Sequence, residues 1–334
     1  QEFRFLKAAK LFALSLKAPK KELEHDNYGE LYKEKEEIES ARQVIEEELN
    51  AEDPGNPKLN LKLAYFHADA KEWKKAEAIM RNIYGHSASL MAGPEYAMYA
   101  QSLRHLGDFA EAEEILETAR DQYPLDEDVL LESGELYVAI KQWKKAISNL
   151  EKANINSNTS QTLRMEVLLG KSYRMAGDLN QAETIIQHAM ARNDRDLTVL
   201  FERAETHLER SQWREALDGY TAIIDGGETV NPIVYSRKRL AEVKLEDYEA
   251  AKATLAQGLA LYPKNKGLNN ANAKISIALK DWDSAIKQLV LLKNTYNGET
   301  KQRALLDLAM LHKNVGNTDK AENILSEFYA ENER

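Results

Sequence analysis

Trp73-Lys74-Lys75-Ala76, Trp143-Lys144-Lys145-Ala146, Trp213-Arg214-Glu215-Ala216 and Trp282-Asp283-Ser284-Ala285 hold all four tryptophans of the chain in one local frame. The frame recurs with other bulky residues in Phe109-Ala110-Glu111-Ala112, Leu179-Asn180-Gln181-Ala182 and Tyr248-Glu249-Ala250-Ala251, and a weaker copy, Thr318-Asp319-Lys320-Ala321, closes the series. The alanines stand at 76, 112, 146, 182, 216, 251, 285 and 321, so successive steps are 36, 34, 36, 34, 35, 34 and 36 residues. A fixed period in this range marks stacked supersecondary units, each packing only on its neighbours.

Other positions keep the same register. Gly134 with Tyr137, and Gly170 with Tyr173, place a small residue and an aromatic twelve and nine residues before their anchor alanines, while Ala100 and Leu103 fit less well. Gly107-Asp108, Gly177-Asp178 and Gly316-Asn317 supply a residue that accepts the left-handed conformation where a helix stops. Pro124 and Pro263 lie twelve residues after their anchors, and Pro57, Pro94 and Pro232 open first helices, where the missing N–H is harmless. Turns are therefore expected near 70–72, 105–108, 140–142, 175–178, 210–212, 245–247, 279–281 and 315–317, with the one before Ala251 shortened.

This pattern over about residues 55–330 resembles the tetratricopeptide repeat, a 34-residue helix-turn-helix unit. The resemblance implies an all-α, right-handed superhelical solenoid of about eight to nine such repeats over 55–334. It also implies a packing role for the four tryptophans and a concave groove, lined by first helices, that receives a peptide or protein surface.

Composition agrees with a folded helical chain. Of 334 residues, 43% are hydrophobic and 30% charged, and only 15 Gly and 7 Pro leave little room for many short strands. No apolar run approaches the roughly 18 residues needed to span a bilayer. The net charge of −10 argues against non-specific nucleic-acid binding. With no cysteine, disulfides, thiol nucleophiles and zinc-finger sites are excluded together.

Residues 1–54 are less regular and read as N-terminal helices. Residues 28–50 form a strongly charged helix that, with Gly29, Tyr32 and Ala41 in register, reads as a degenerate ninth repeat. Residues 3–17 are amphipathic, and Arg4, Lys7, Lys10, Lys17, Lys20 and Lys21 make the start basic. That segment reads as a cap on the first repeat, with proximity to an anionic membrane surface as the alternative. The start at Gln1 reads as a trimmed or processed chain, and the absent cysteines and basic start lean toward a bacterial periplasm or envelope.

Catalytic and cofactor signals are lacking. His67, His207 and His312 all fall nine residues before an anchor alanine, in the aromatic packing position. The other histidines have no partners at the spacing of a metal helix or a triad. No phosphate loop or dinucleotide fingerprint occurs, and Gly226-Gly227 reads as a turn after a second helix. No cofactor, metal or catalytic residue is expected.

Helical spacing selects the first-helix residues left for a partner. These are Lys62, Tyr65, Gln101 and Arg104 in a basic, amphiphilic stretch near the start, then Glu135, Lys171, Arg174, Glu205, Arg237 and Lys238. Acidic and basic first helices either bridge to one another or present a charged groove to a complementary partner. The asparagine pairs of the family's carboxylate clamp are missing. The expected function is a non-catalytic protein–protein scaffold within a larger assembly. The alternatives are a periplasmic scaffold of a bacterial exopolysaccharide synthesis or export system and the repeat region of a larger enzyme.

Overall fold

A computed structural model describes residues 55–332 apart from 157–161 and 228–229, together with Arg42, Gln43 and Glu46. The expected N-terminal helices, cap and degenerate repeat within 1–54 lie outside the described residues. Sixteen α-helices and no strand occur among the described residues. None of these helices is long and apolar enough to cross a membrane.

The chain forms two compact units that meet in sequence at Asp178 and Leu179. The first holds α1 (Pro57–Asp69), α2 (Trp73–Ser87), α3 (Gly93–Leu106), α4 (Phe109–Gln122), α5 (Glu127–Ala139), α6 (Trp143–Asn156) and α7 (Thr162–Ala176). The second holds α8 (Leu179–Arg192), α9 (Leu197–Glu209), α10 (Trp213–Gly226), α11 (Pro232–Lys244), α12 (Tyr248–Leu261), α13 (Lys266–Ala278), α14 (Trp282–Thr295), α15 (Glu299–Asn314) and α16 (Thr318–Asn332). In sequence, each odd-numbered helix is a first helix, followed after a short turn by an even-numbered second helix. Within each unit every helix packs on its sequence neighbour, and α5 also packs on α3.

Pair geometry follows from residues at fixed offsets. The anchor alanines are buried, fully so at 76, 112, 146, 182, 216, 251 and 285, because they sit where two helices touch. Gly134 serves the same purpose on α5: a Cβ there would lie 2.4 Å from Leu150 Cδ2 of α6. Gly258 of α12 stands similarly close to Tyr235, where a Cβ would lie 2.9 Å from Cγ.

Every intra-pair turn carries one residue with positive φ, five positions before its anchor alanine. Three are glycines, Gly107, Gly177 and Gly316, and five are Lys71, Lys141, Ser211, Glu246 and Lys280. The closing bond is the same with or without glycine. Asp108 N–H donates to Leu103 O at 2.9 Å, and Gln142 N–H donates to Tyr137 O at 2.8 Å. This six-residue closure satisfies carbonyls that a helix end leaves open. The turn before Ala251, expected to be shortened, spans 245–247 and closes like the rest, with Asp247 N–H donating to Glu242 O at 2.9 Å.

First helices start on a signal that spacing alone did not expose. Asn56, Asp126, Asp196, Asn231 and Asn265 stand twenty residues before their anchors, and each side chain accepts first-turn N–H groups. A second regularity fastens neighbouring pairs. Tyr123, Tyr262 and Tyr296, eleven residues after their anchors, donate their hydroxyls to the carbonyls of Met91, Val230 and Lys264 at 3.1, 2.7 and 2.7 Å.

All four tryptophans are half-buried, and Trp73, Trp213 and Trp282 pack against the apolar core. Trp73 stacks on His105 of the next pair with ring centroids 4.1 Å apart, and Lys244 lies 5.6 Å over the Trp213 ring. The histidines in the aromatic position are buried and structural. His67 Nδ1 lies 2.7 Å from Glu72 Oε2, and His207 Nδ1 lies 2.8 Å from Gln212 Oε1, each tying a helix end to the start of its partner.

Candidate functional site

In the first unit, α1, α3 and α5 enclose a cavity of about 550 Å³, closed at one side by Arg164 of α7. Successive first helices place equivalent turns beside one another, so positions eleven residues before each anchor converge as Tyr65, Gln101 and Glu135. The floor is apolar, with Ala68, Ala97, Met98 and Leu131, and Pro94 contributes to the wall. The carboxylates of Asp69, Glu95, Asp128, Glu132 and Glu135 complete the lining.

Two of these carboxylates are committed to arginines. Arg104 Nε lies 2.5 Å from Glu132 Oε1, and its Nη2 lies 2.6 Å from Glu135 Oε2. Arg164 pairs with the other oxygen of Glu135. Burial pushes the Glu132 carboxyl up to about 7, although the Arg104 guanidinium pulls the other way. Glu95 instead accepts from neutral donors, the Tyr65 hydroxyl at 3.1 Å and the Ala92 N–H at 2.9 Å. The Tyr65 hydroxyl is pushed up first by burial and then by the carboxylates of Glu95, Asp128 and Asp69. Partial withdrawal from water beside the cavity raises the Asp69 carboxyl too, although the residue as a whole stays exposed.

The cavity that Tyr65 and Gln101 help to line is therefore mostly acidic. Arg104 is not presented to the cavity as a free cation but is half-buried and held between Glu132 and Glu135. Lys62 is half-buried one turn before Tyr65 and is not part of the lining. Asp69 and Glu95, which the helical spacing did not select, converge only because adjacent pairs stack.

The other selected residues fall elsewhere. On α7, Lys171 is half-buried and Arg174 is buried, 5% exposed, with Nη1 3.6 Å from Met175 Sδ. The expected open basic ridge is thus absent at Arg174, whose side chain the fold packs inward. In the second unit, the buried Glu205 accepts from the Tyr220 hydroxyl at 2.6 Å and pairs with Arg237 of the next first helix at 3.0 Å. Lys238 reaches Glu242 on its own helix at 3.7 Å. Acidic and basic first helices are thus bridged inside each unit, through Arg104, Arg164 and Arg237. Tyr65, Gln101, Arg104 and Glu135 come together in one place, and Glu205 and Arg237 in another. No group of histidine and acidic side chains arranged to hold a metal occurs among the described residues.

Residues 103–159 match the tetratricopeptide repeat family. No curated protein matches the chain. Solved structures match its fold over most of its length. The APC/C hetero-tetramer Cut9–Hcn1 is similar at 16% identity and a TM-score of 0.59, over 82% of this chain and 52% of that one, so this chain spans about half the length of that relative. A tetratricopeptide repeat protein from Parabacteroides merdae is similar at 14% identity and a TM-score of 0.58, over 76% of this chain and 98% of that one. PilW, a type IV pilus biogenesis factor, is similar at 15% identity and a TM-score of 0.59, over 65% and 98%. With the helix pairs and their fixed offsets, these matches show a tetratricopeptide-type helical-repeat fold.

Proposed function

We propose that the chain is a non-catalytic protein-interaction scaffold whose first-unit groove receives a segment of another protein. The observation that carries this reading is the cavity between α1, α3 and α5, an apolar floor with polar groups converging above it. Its volume lies in the range of sites that enclose several side chains. Side chains on successive first helices repeat along the groove, so an extended segment meets equivalent positions in turn. The periplasmic export scaffold and the repeat region of a larger enzyme keep the same helix pairs and differ only in the partner.

Selection of binders from a random peptide library tests the reading. Gln101 is half-buried at the centre of the lining, and Gln101→Trp fills the groove; Lys144→Trp places the same bulk on the exposed face of α6. Selected peptides should lose binding to Gln101→Trp and keep binding to Lys144→Trp. Peptides indifferent to Gln101→Trp would reject the groove.

A further inference from the structure

The occupant's chemistry follows from the charges around the groove, and the argument rests on the groove reading above. Five carboxylates line the cavity against one guanidinium, that of Arg164. Arg104 adds a second cation, but both guanidinium groups are already engaged with Glu132 and Glu135. At the other side of the floor, Glu95 is held only by a phenol and a backbone N–H, which orient its oxygens without cancelling their charge. Asp69 stands exposed at the mouth. A low-polarity floor beside these groups strengthens their field compared with open water.

We propose that this groove takes an extended, basic protein segment, with lysine or arginine side chains directed to Asp69 and Glu95 and small apolar side chains resting on Ala97, Met98 and Leu131. An acidic segment would face like charge at Asp69 and Glu95, which costs binding energy and slows encounter. A neutral apolar segment would cover the floor but withdraw Asp69 and Glu95 from water without bringing them a cation. A basic segment alternating with small apolar residues satisfies both parts of the lining. The apolar floor also distinguishes it from a simple polyamine, which would meet the carboxylates and leave Met98 and Leu131 wet.

Fluorescence anisotropy on the full chain decides the matter, using three labelled twelve-residue peptides that alternate alanine with lysine, glutamine or glutamate. They are measured on the native sequence, on Asp69→Asn/Glu95→Gln and on Gln101→Trp, with circular dichroism confirming each fold. The single variant Asp69→Asn, at an exposed position, stands in if the double variant fails to fold. The lysine peptide should bind the native chain best and weaken as salt rises. Its affinity should fall about tenfold on the double variant and be lost on Gln101→Trp. If the glutamine or glutamate peptide binds as well, and Gln101→Trp abolishes it, the groove stands and the basic occupant is overturned. If the lysine peptide binds Gln101→Trp undiminished, attraction to the net negative surface explains it, and both readings fall. Failure of the lysine peptide to bind at all overturns the inference, as does spermine matching its affinity.

Discussion

Arg104 Nε lies 2.5 Å from Glu132 Oε1, joining two successive first helices through a pair largely withdrawn from water, the two side chains 13% and 6% exposed. The same guanidinium reaches Glu135, so one residue of α3 holds two of α5. Breaking a buried pair costs more than forming it gains, because the abandoned charge keeps its desolvation penalty. Arg104→Met is expected to destabilise the first unit by about 3–5 kcal/mol, read by urea unfolding at pH 8, where Glu132 is ionised. A loss no larger than that of an exposed arginine would show that the pair is not withdrawn from water as described.

Glu132 also makes stability depend on pH. Its carboxyl is pushed up to about 7 by burial, above the ordinary value of 4.5. Between these values the folded state keeps a proton that the unfolded chain releases, so this group's contribution to stability falls as pH rises through the window. The melting temperature of the native chain relative to Glu132→Gln should therefore decline from pH 5 to pH 7. A difference that stays constant or rises with pH contradicts this assignment.

Lys141 and Lys280 occupy the left-handed conformation that Gly107, Gly177 and Gly316 occupy in equivalent turns. A side chain there costs about 1–2 kcal/mol, while glycine loses more freedom on folding, which offsets part of the gain. Lys141→Gly is expected to stabilise the chain by about 0.5–1 kcal/mol, and Gly107→Lys to destabilise it by a similar amount. Thermal melts of the two variants moving in the same direction would refute the account.

Arg174 is buried, whereas Lys171, one turn earlier on α7, is half-buried. Arg174→Glu should therefore cost about 2–4 kcal/mol by placing a carboxylate at a buried position. Lys171→Glu should shift stability by well under 1 kcal/mol, as surface charges do. Equal, small effects in urea unfolding would return Arg174 to the surface.

Helix pairing could be read from the sequence because it depends on residues close to one another along the chain. The tryptophan frames, the anchor alanines and the glycine turns fix where each helix stops and which face it buries. The eight intra-pair turns fall where spacing puts them for that reason. Lys71, Lys141, Ser211, Glu246 and Lys280 were harder to read: a tightly closed helix end imposes the left-handed conformation on residues that do not favour it. The asparagine and aspartate caps stand at a fixed offset from the anchors, but such residues are common on helix surfaces, and only the helix starts single these out.

The charge of the candidate site was decided by tertiary structure alone. Spacing marked Tyr65, Gln101, Arg104 and Glu135, but whether a long side chain faces solvent or a neighbour depends on what the next pair brings opposite it. Arg104 meets Glu132 and Glu135, Arg174 packs inward, and Asp69 joins Glu95 at the mouth of one cavity. Local sequence determined the repeating helix pair because turns, caps and helix faces answer to residues a few positions away. The groove's sign required stacking, because electrostatic energy depends on distances between residues some thirty positions apart and on how far each is withdrawn from water.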